Sequence, residues 1–223
     1  MKWHFKRDLF PIAMIIAFLF VSWYFYGILP DTVPSHFNSK GMPDGYSSKT
    51  TVIAIGIGAS IGLYLLLTFI PMIDPFWKKI EKKYNIFLLF RDILIAFIVF
   101  ILVIDFISAK EGFFRSDLMG IGFGVLFIII GNYLPKLPRN FFFGIRSPWT
   151  LASEEVWHKT HRIGGTLFVI GGAIMIILIL LKVELFITII SVLVPISIYS
   201  GLIYPYFLYK KLEKEGKLKK PEL

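Results

Sequence analysis

Six long apolar runs decide most of what this chain can become. Residues 9–29, 51–73, 86–107, 117–134, 163–181 and 185–209 are strongly apolar, and a helix of about 20 such residues spans the hydrocarbon core of a bilayer. No water reaches that core to bond a loose backbone group, so segments of this length are helices there. The runs fill over half of the chain, and a hydrophobic share of 56% with a mean hydropathy of +0.72 is too apolar for a water-soluble domain. The sequence predicts an all-α polytopic membrane protein with six transmembrane helices. The first run follows the basic start MKWHFKRD but ends in GILPDTVP, without a small-residue cleavage site, which predicts a retained helix.

Basic residues supply an orientation. If the flanks of six spans alternate sides, one side holds nineteen Lys and Arg: Lys2, Lys6, Arg7, Lys78, Lys79, Lys82, Lys83, Arg91, Lys136, Arg139, Arg146, Lys159, Arg162, Lys210, Lys211, Lys214, Lys217, Lys219 and Lys220. The other side holds five, Lys40, Lys49, Lys110, Arg115 and Lys182. Cytoplasmic flanks of membrane helices carry the excess of positive charge, so both termini are expected in the cytoplasm. The formal charge of +9 thereby reads as topology, and no direct contact with nucleic acid is expected. With no cysteine in the chain, disulfides, thiolate metal sites and a cysteine nucleophile are excluded.

Within the spans, Ala54, Gly58 and Gly62 recur at four-residue spacing, as do Gly120 and Gly124, a pattern expected to let helices approach closely. Pro195 is expected to kink the last span, with Thr188 and Ser191 satisfying freed backbone groups. No Asp, Glu, Lys, Arg or His lies in the middle of any span, and Asp92 and Asp105 fall near opposite ends of the third, which disfavours a proton- or ion-coupled pump.

Two connections carry the polar chemistry. The outer one, residues 30–50, has Pro30, Pro34 and Pro43 with Gly41 and Gly45, and is expected to be ordered by its turns. In it Asp31, His36 and Asp44 are candidates to converge on a cation or peptide ligand, the alternative being a turn-stabilising network with an exposed histidine. The cytoplasmic one, the loop 135–162, is rich in aromatic rings suited to the headgroup level. Arg146 stands in its uncharged run from Phe141 to Leu151, where its donors need a carboxylate, a carbonyl or a lipid phosphate. Ser153 followed by Glu154 and Glu155 predicts the start of a short helix that ends near Gly164 and Gly165. On it Glu154, His158 and His161 share a face at i, i+4 and i+7 and are candidate metal ligands, though not in the HExxH order; hydrogen bonding to residues 140–150 is the alternative.

The run N-x-F-x-G-I-R-S-P-W-T-L-x-S-E-E-V-W-x-K-T-H-R, from Asn140 through Arg162, resembles the SdpI family of multi-pass bacterial membrane proteins. PDTVPSHFNSKGMPDGYSSK resembles the outer segment of the uncharacterised domain that often precedes the SdpI portion. The resemblance implies a cell-membrane immunity or signalling protein that protects against or senses a secreted SdpC-like peptide and recruits a soluble winged-helix repressor. It assigns the contact with a ligand or partner to Asn140, Gly144, Arg146, Trp149, Thr150, Glu155, Trp157 and His161, with no catalysis and no cofactor. It also implies three portions: 1–75 with the outer loop, 76–116 around the third helix, and 117–223 with the motif loop and a basic tail. The competing expectations are a metal-dependent membrane-embedded enzyme acting on lipid or peptide, and a peptide exporter.

Overall fold

The computed structural model describes residues 7–38 and 40–218, so Lys2, Lys6, Lys219 and Lys220 of the charge pattern lie outside the described residues. In chain order the elements are helix α1 (Leu9–Ile28), strands β1 (Thr32–Phe37) and β2 (Pro43–Ser48), then helices α2 (Lys49–Phe69), α3 (Trp77–Lys82), α4 (Tyr84–Glu111) and α5 (Ser116–Tyr133). They are followed by α6 (Pro148–Ala152), α7 (Glu154–Leu180), α8 (Leu185–Ile198) and α9 (Tyr204–Lys214). Among the described residues six helical segments are long and apolar enough to cross a membrane: Leu9–Ile28, Lys49–Ile73, Tyr84–Glu111, Ser116–Lys136, Glu154–Leu180 and Leu185–Lys214. The helical expectation is met, with one addition, the antiparallel hairpin of β1 and β2 in the first connection.

Two compact units divide the chain: Met1–Thr68 with Phe90–Gly122, and Phe69–Leu89 with Phe123–Leu223. The core of the first contains Phe18 and Phe25 of α1, Leu29, Val33 of β1, Ile53 of α2, and Val99, Phe106 and Ala109 of α4. Phe106 stacks on Phe18 at 5.6 Å between ring centroids and lies 5.4 Å from Phe25. Val33, fully buried, fastens the hairpin to this core, so strand and helices share one apolar centre. Outward-facing Phe20, Trp23 and Ile55 are 66%, 78% and 65% exposed, a surface that only a bilayer tolerates over such an extent.

At the other end of the same unit lies a charge cluster. Arg91 of α4 is buried; its Nη1 donates to Asp8 at 2.6 Å and to Thr68 at 3.3 Å, its Nη2 to the Arg7 carbonyl at 2.7 Å, and its Nε to Asp92 at 2.9 Å. The Tyr64 ring lies 5.5 Å from the guanidinium. One arginine thus binds the starts of α1 and α4 and the end of α2.

Glycines organise the second unit, among them Gly124, which the spacing singled out. A Cβ on Gly131 of α5 would stand 2.6 Å from the Gly165 carbonyl of α7, and one on Gly172 of α7 would stand 2.5 Å from the Gly124 carbonyl of α5. Both glycines are seven residues from their neighbour in the same helix, so two crossings two turns apart bring the backbones into contact. Gly58 and Gly62, by contrast, have nothing within 4 Å of an added Cβ, and Ala54 is exposed, so the packing expected of that stripe is not made among the described residues.

One helix boundary departs from expectation. No break occurs at Gly164 and Gly165: the expected short helix and the fifth span are one helix, α7, because both glycines are buried, Gly164 against Ile145 and Gly165 against Gly131 and Pro135. Tertiary packing outweighs the weak helix propensity of glycine there. After Pro195 the chain continues through a π-helical turn, Tyr199–Ile203, with the Ser200 hydroxyl donating to the Ile196 carbonyl at 2.6 Å. Ser191 donates to the Thr188 carbonyl at 3.2 Å, while the buried Thr188 hydroxyl has no hydrogen-bond partner among the described residues.

Candidate functional site

The loop between α5 and α7 is built by side chains that saturate their own backbone. Asn140, fully buried, accepts at Oδ1 from the Phe142 and Phe143 amides at 2.9 and 2.6 Å and donates from Nδ2 to the Pro138 and Phe143 carbonyls at 2.9 and 3.0 Å. A side-chain amide offers two donors and two acceptor lone pairs, so Asn140 has nothing left for a partner. Ser147 and Thr150 form a reciprocal cap at the start of α6: the Ser147 amide donates to Thr150 Oγ1 at 2.8 Å and the Thr150 amide to Ser147 Oγ at 3.4 Å. Ser153 caps α7, and Glu154 and Glu155 occupy its first turn, at the positive end of the helix dipole.

His161 locks the middle of the loop. Its Nε2 accepts from the Ile145 amide at 3.0 Å, so Nδ1 carries the proton and donates to the Trp157 carbonyl at 2.8 Å. The ring lies on Trp157 at 4.0 Å, and the Trp157 indole donates to the Leu137 carbonyl at 2.9 Å. Both residues are fully buried. Gly144, with φ of 102°, faces the same histidine: a Cβ there would collide with His161 Nε2.

Of the eight residues assigned to ligand or partner contact, Asn140, Thr150, Trp157 and His161 are therefore interior braces, each with no exposed surface. Arg146 and Glu155 are exposed and Trp149 is half-buried. Arg146 takes the carbonyl among its three anticipated partners, donating from Nη1 to Phe141 at 2.6 Å. Glu155 pairs with Lys159 at 2.7 Å, and Trp149 meets Tyr206 of α9 edge-on at 5.3 Å.

The three candidate metal ligands are not brought together. Glu154 pairs with Lys79 at 2.8 Å and lies 4.0 Å from His158, whereas His161 is buried with both ring nitrogens bonded to backbone. Among the described residues no group of three His, Cys, Asp or Glu can hold a metal ion. Spacing along a helix places side chains on one side but does not say which of them the neighbouring loop covers. The outer trio is likewise split. His36 and Asp44 are hydrogen-bonded across the hairpin, both exposed, but Asp31 at its foot pairs with Lys49 at 3.1 Å.

Sequence reasoning missed the second anchor of the loop, the connection from α2 to α4. Asp74, buried, accepts from the Phe76 amide at Oδ1 and from the Phe141 amide at Oδ2, both at 2.7 Å. Phe76 stacks on Phe141 at 5.8 Å and lies 4.6 Å below the guanidinium of Arg139, which donates to the Leu151 carbonyl at 3.1 Å. Phe87 meets Phe143 edge-on at 5.5 Å. The Asp74-Pro75 dipeptide after a span is a turn signal. Its partner 67 residues away has no sequence signature.

Residues 136–208 match the SdpI/YfhL protein family, and residues 13–58 match a domain of unknown function, DUF1648. Over 209 residues the chain is 28% identical to the immunity protein SdpI of Bacillus subtilis (strain 168), covering 93% of this chain and 98% of that one. No solved structure matches.

Proposed function

We propose, from an SdpI/YfhL-family portion at residues 136–208 behind a DUF1648 portion at 13–58, that this multi-pass membrane protein is an immunity protein. It protects against, or senses, a secreted antimicrobial peptide of the SdpC type. The observation that carries the reading is the identity to a bacterial immunity protein along nearly the full length of both chains. The nineteen-to-five division of basic residues supports a cytoplasmic placement of both termini and of the loop 135–162 in the cell membrane, with the hairpin outside.

On this reading portion 1–75 receives the peptide, 76–116 links, and 117–223 answers. His36 and Asp44 present one donor–acceptor pair to the peptide, and Asp31 steadies the foot of the hairpin through Lys49. On the cytoplasmic side Arg146, Trp149 and Glu155 form the face offered to a soluble partner, a winged-helix repressor in the fullest form of the proposal. Asn140, Gly144, Thr150, Trp157 and His161 hold that face in shape. The peptide must favour one of two states of the chain to change what the loop offers, because a ligand shifts an equilibrium only by its difference in affinity. Nothing in this scheme calls for catalysis or a cofactor.

The test is survival of toxin-sensitive bacteria that express the protein, beside cells expressing Arg146→Ala at matched membrane levels. Survival of wild-type cells with death of the mutant supports immunity that works through the loop. Survival of both assigns protection to the hairpin or the spans. Death of both overturns immunity to that peptide.

A further inference from the structure

We infer that Asp74 is the positioning residue of the loop, setting the direction of Arg146 through the backbone of Phe141. The consequence for immunity rests on the function proposed above; the geometry stands without it. Asp74 is held at every polar atom. Its amide donates to the Pro71 carbonyl at 3.3 Å, its carbonyl accepts from the Trp77 amide at 2.9 Å, and its two carboxylate oxygens accept from Phe76 and Phe141. The Oδ1 bond closes a turn on its own connection, as Asp commonly does two residues on. The Oδ2 bond crosses to the loop.

Phe141 then carries the constraint onward. The residue whose amide is fixed by Asp74 offers its carbonyl to Arg146 Nη1 at 2.6 Å. Phe141 is also held by its ring on Phe76, whose own amide is the other ligand of the carboxylate. One buried carboxylate therefore aligns two aromatic residues that stack, and the second of them orients the exposed arginine. Hydrogen bonds to an ionised acceptor are short and about twice as strong as neutral ones, and both bonds here are 2.7 Å. A neutral side chain of the same shape, asparagine, satisfies only one of the two amides, because its nitrogen is a donor.

Hydrogen exchange of the full chain in lipid nanodiscs tests this, comparing wild type, Asp74→Asn and Asp74→Ala. The expected result is faster exchange in the peptide spanning residues 139–147, by about ten- to a hundredfold, for loss of a charged hydrogen bond. Exchange in residues 166–180 of α7 stays as in wild type. Unchanged exchange at 139–147 in both variants overturns the proposal. Equal acceleration throughout α7 in Asp74→Asn also overturns it, by making Asp74 a general folding residue; Asp74→Ala alone accelerating α7 leaves the asparagine variant to decide.

The second arm measures the peptide dose that halves survival. If Asp74 acts through Arg146, the double variant Asp74→Asn with Arg146→Ala is no more sensitive than Arg146→Ala alone, and multiplied losses refute that route. Should wild-type cells fail to survive, the proposed function falls while the exchange result still decides the positioning role.

Discussion

Replacing Arg91 with methionine exposes how much the first unit depends on its buried charge cluster. Methionine keeps the apolar stem and most of the volume, so the substitution removes charge and donors rather than packing. Arg91 makes hydrogen bonds to Asp8, Thr68, Asp92 and the Arg7 carbonyl, and the Asp8 side chain is only 4% exposed. Without Arg91 the Asp8 carboxylate stays buried and loses the guanidinium that neutralises it, a loss that destabilises by about 3–5 kcal/mol. Asp8→Asn keeps a neutral acceptor for Arg91, which retains Asp92, and costs about 1–2 kcal/mol, the difference between a charged and a neutral hydrogen bond. In the double variant no isolated charge stays at that position, so it destabilises less than the two singles summed, with a coupling of about 1–3 kcal/mol. Reversible unfolding in mixed micelles measures all three variants against wild type. Additivity within about 0.5 kcal/mol, the range of independent sites, would refute the reasoning and show Asp8 and Arg91 to be neighbours without mutual dependence.

Three further outcomes follow from single positions. Gly144→Ala places a Cβ on His161 Nε2 at a positive φ and is expected to destabilise by about 2–4 kcal/mol from backbone strain and overpacking, read in the same unfolding assay. Gly131→Ala and Gly172→Ala meet backbone carbonyls that cannot yield and are expected to lose about 1–3 kcal/mol each, whereas Gly58→Ala and Gly62→Ala, facing open space, are expected to be neutral or to gain up to about 1 kcal/mol. Nitrogen-15 spectra of labelled protein in nanodiscs are expected to show His161 as the tautomer with the proton on Nδ1, and a proton on Nε2 would contradict the bond from Ile145.

The helices, their caps and the chemistry of the loop were legible because each rests on neighbours within a few residues. Apolar length gives the spans, Ser153 and the two glutamates give the start of α7, and Pro and Gly around residues 30–50 give an ordered connection that folds as a hairpin. The same local rules misled where a distant segment supplied the other half of the contact. Gly58 and Gly62 have helix-packing spacing but face open space among the described residues, and Gly164 and Gly165 read as a stop but are buried mid-helix. Glu154, His158 and His161 share a helix side by spacing, yet Ile145 and Lys79 claim two of them.

What the sequence alone determined is a six-span membrane chain with two structured connections and a strong asymmetry of positive charge. What only tertiary structure decided is which polar side chains are consumed by the protein and which stay free to meet something else. Asn140, Trp157 and His161, which the resemblance assigned to binding, are braces in the fold, while Asp74, Asp8 and Arg91, to which sequence reasoning assigned no role beyond charge, are buried and bonded. The physical reason is that a buried donor or acceptor must find a partner whatever its distance along the chain, and Asp74 to Phe141 spans 67 residues and Asp8 to Arg91 spans 83. Periodicity and capping report contacts within a turn or two of helix; they say nothing about such pairs.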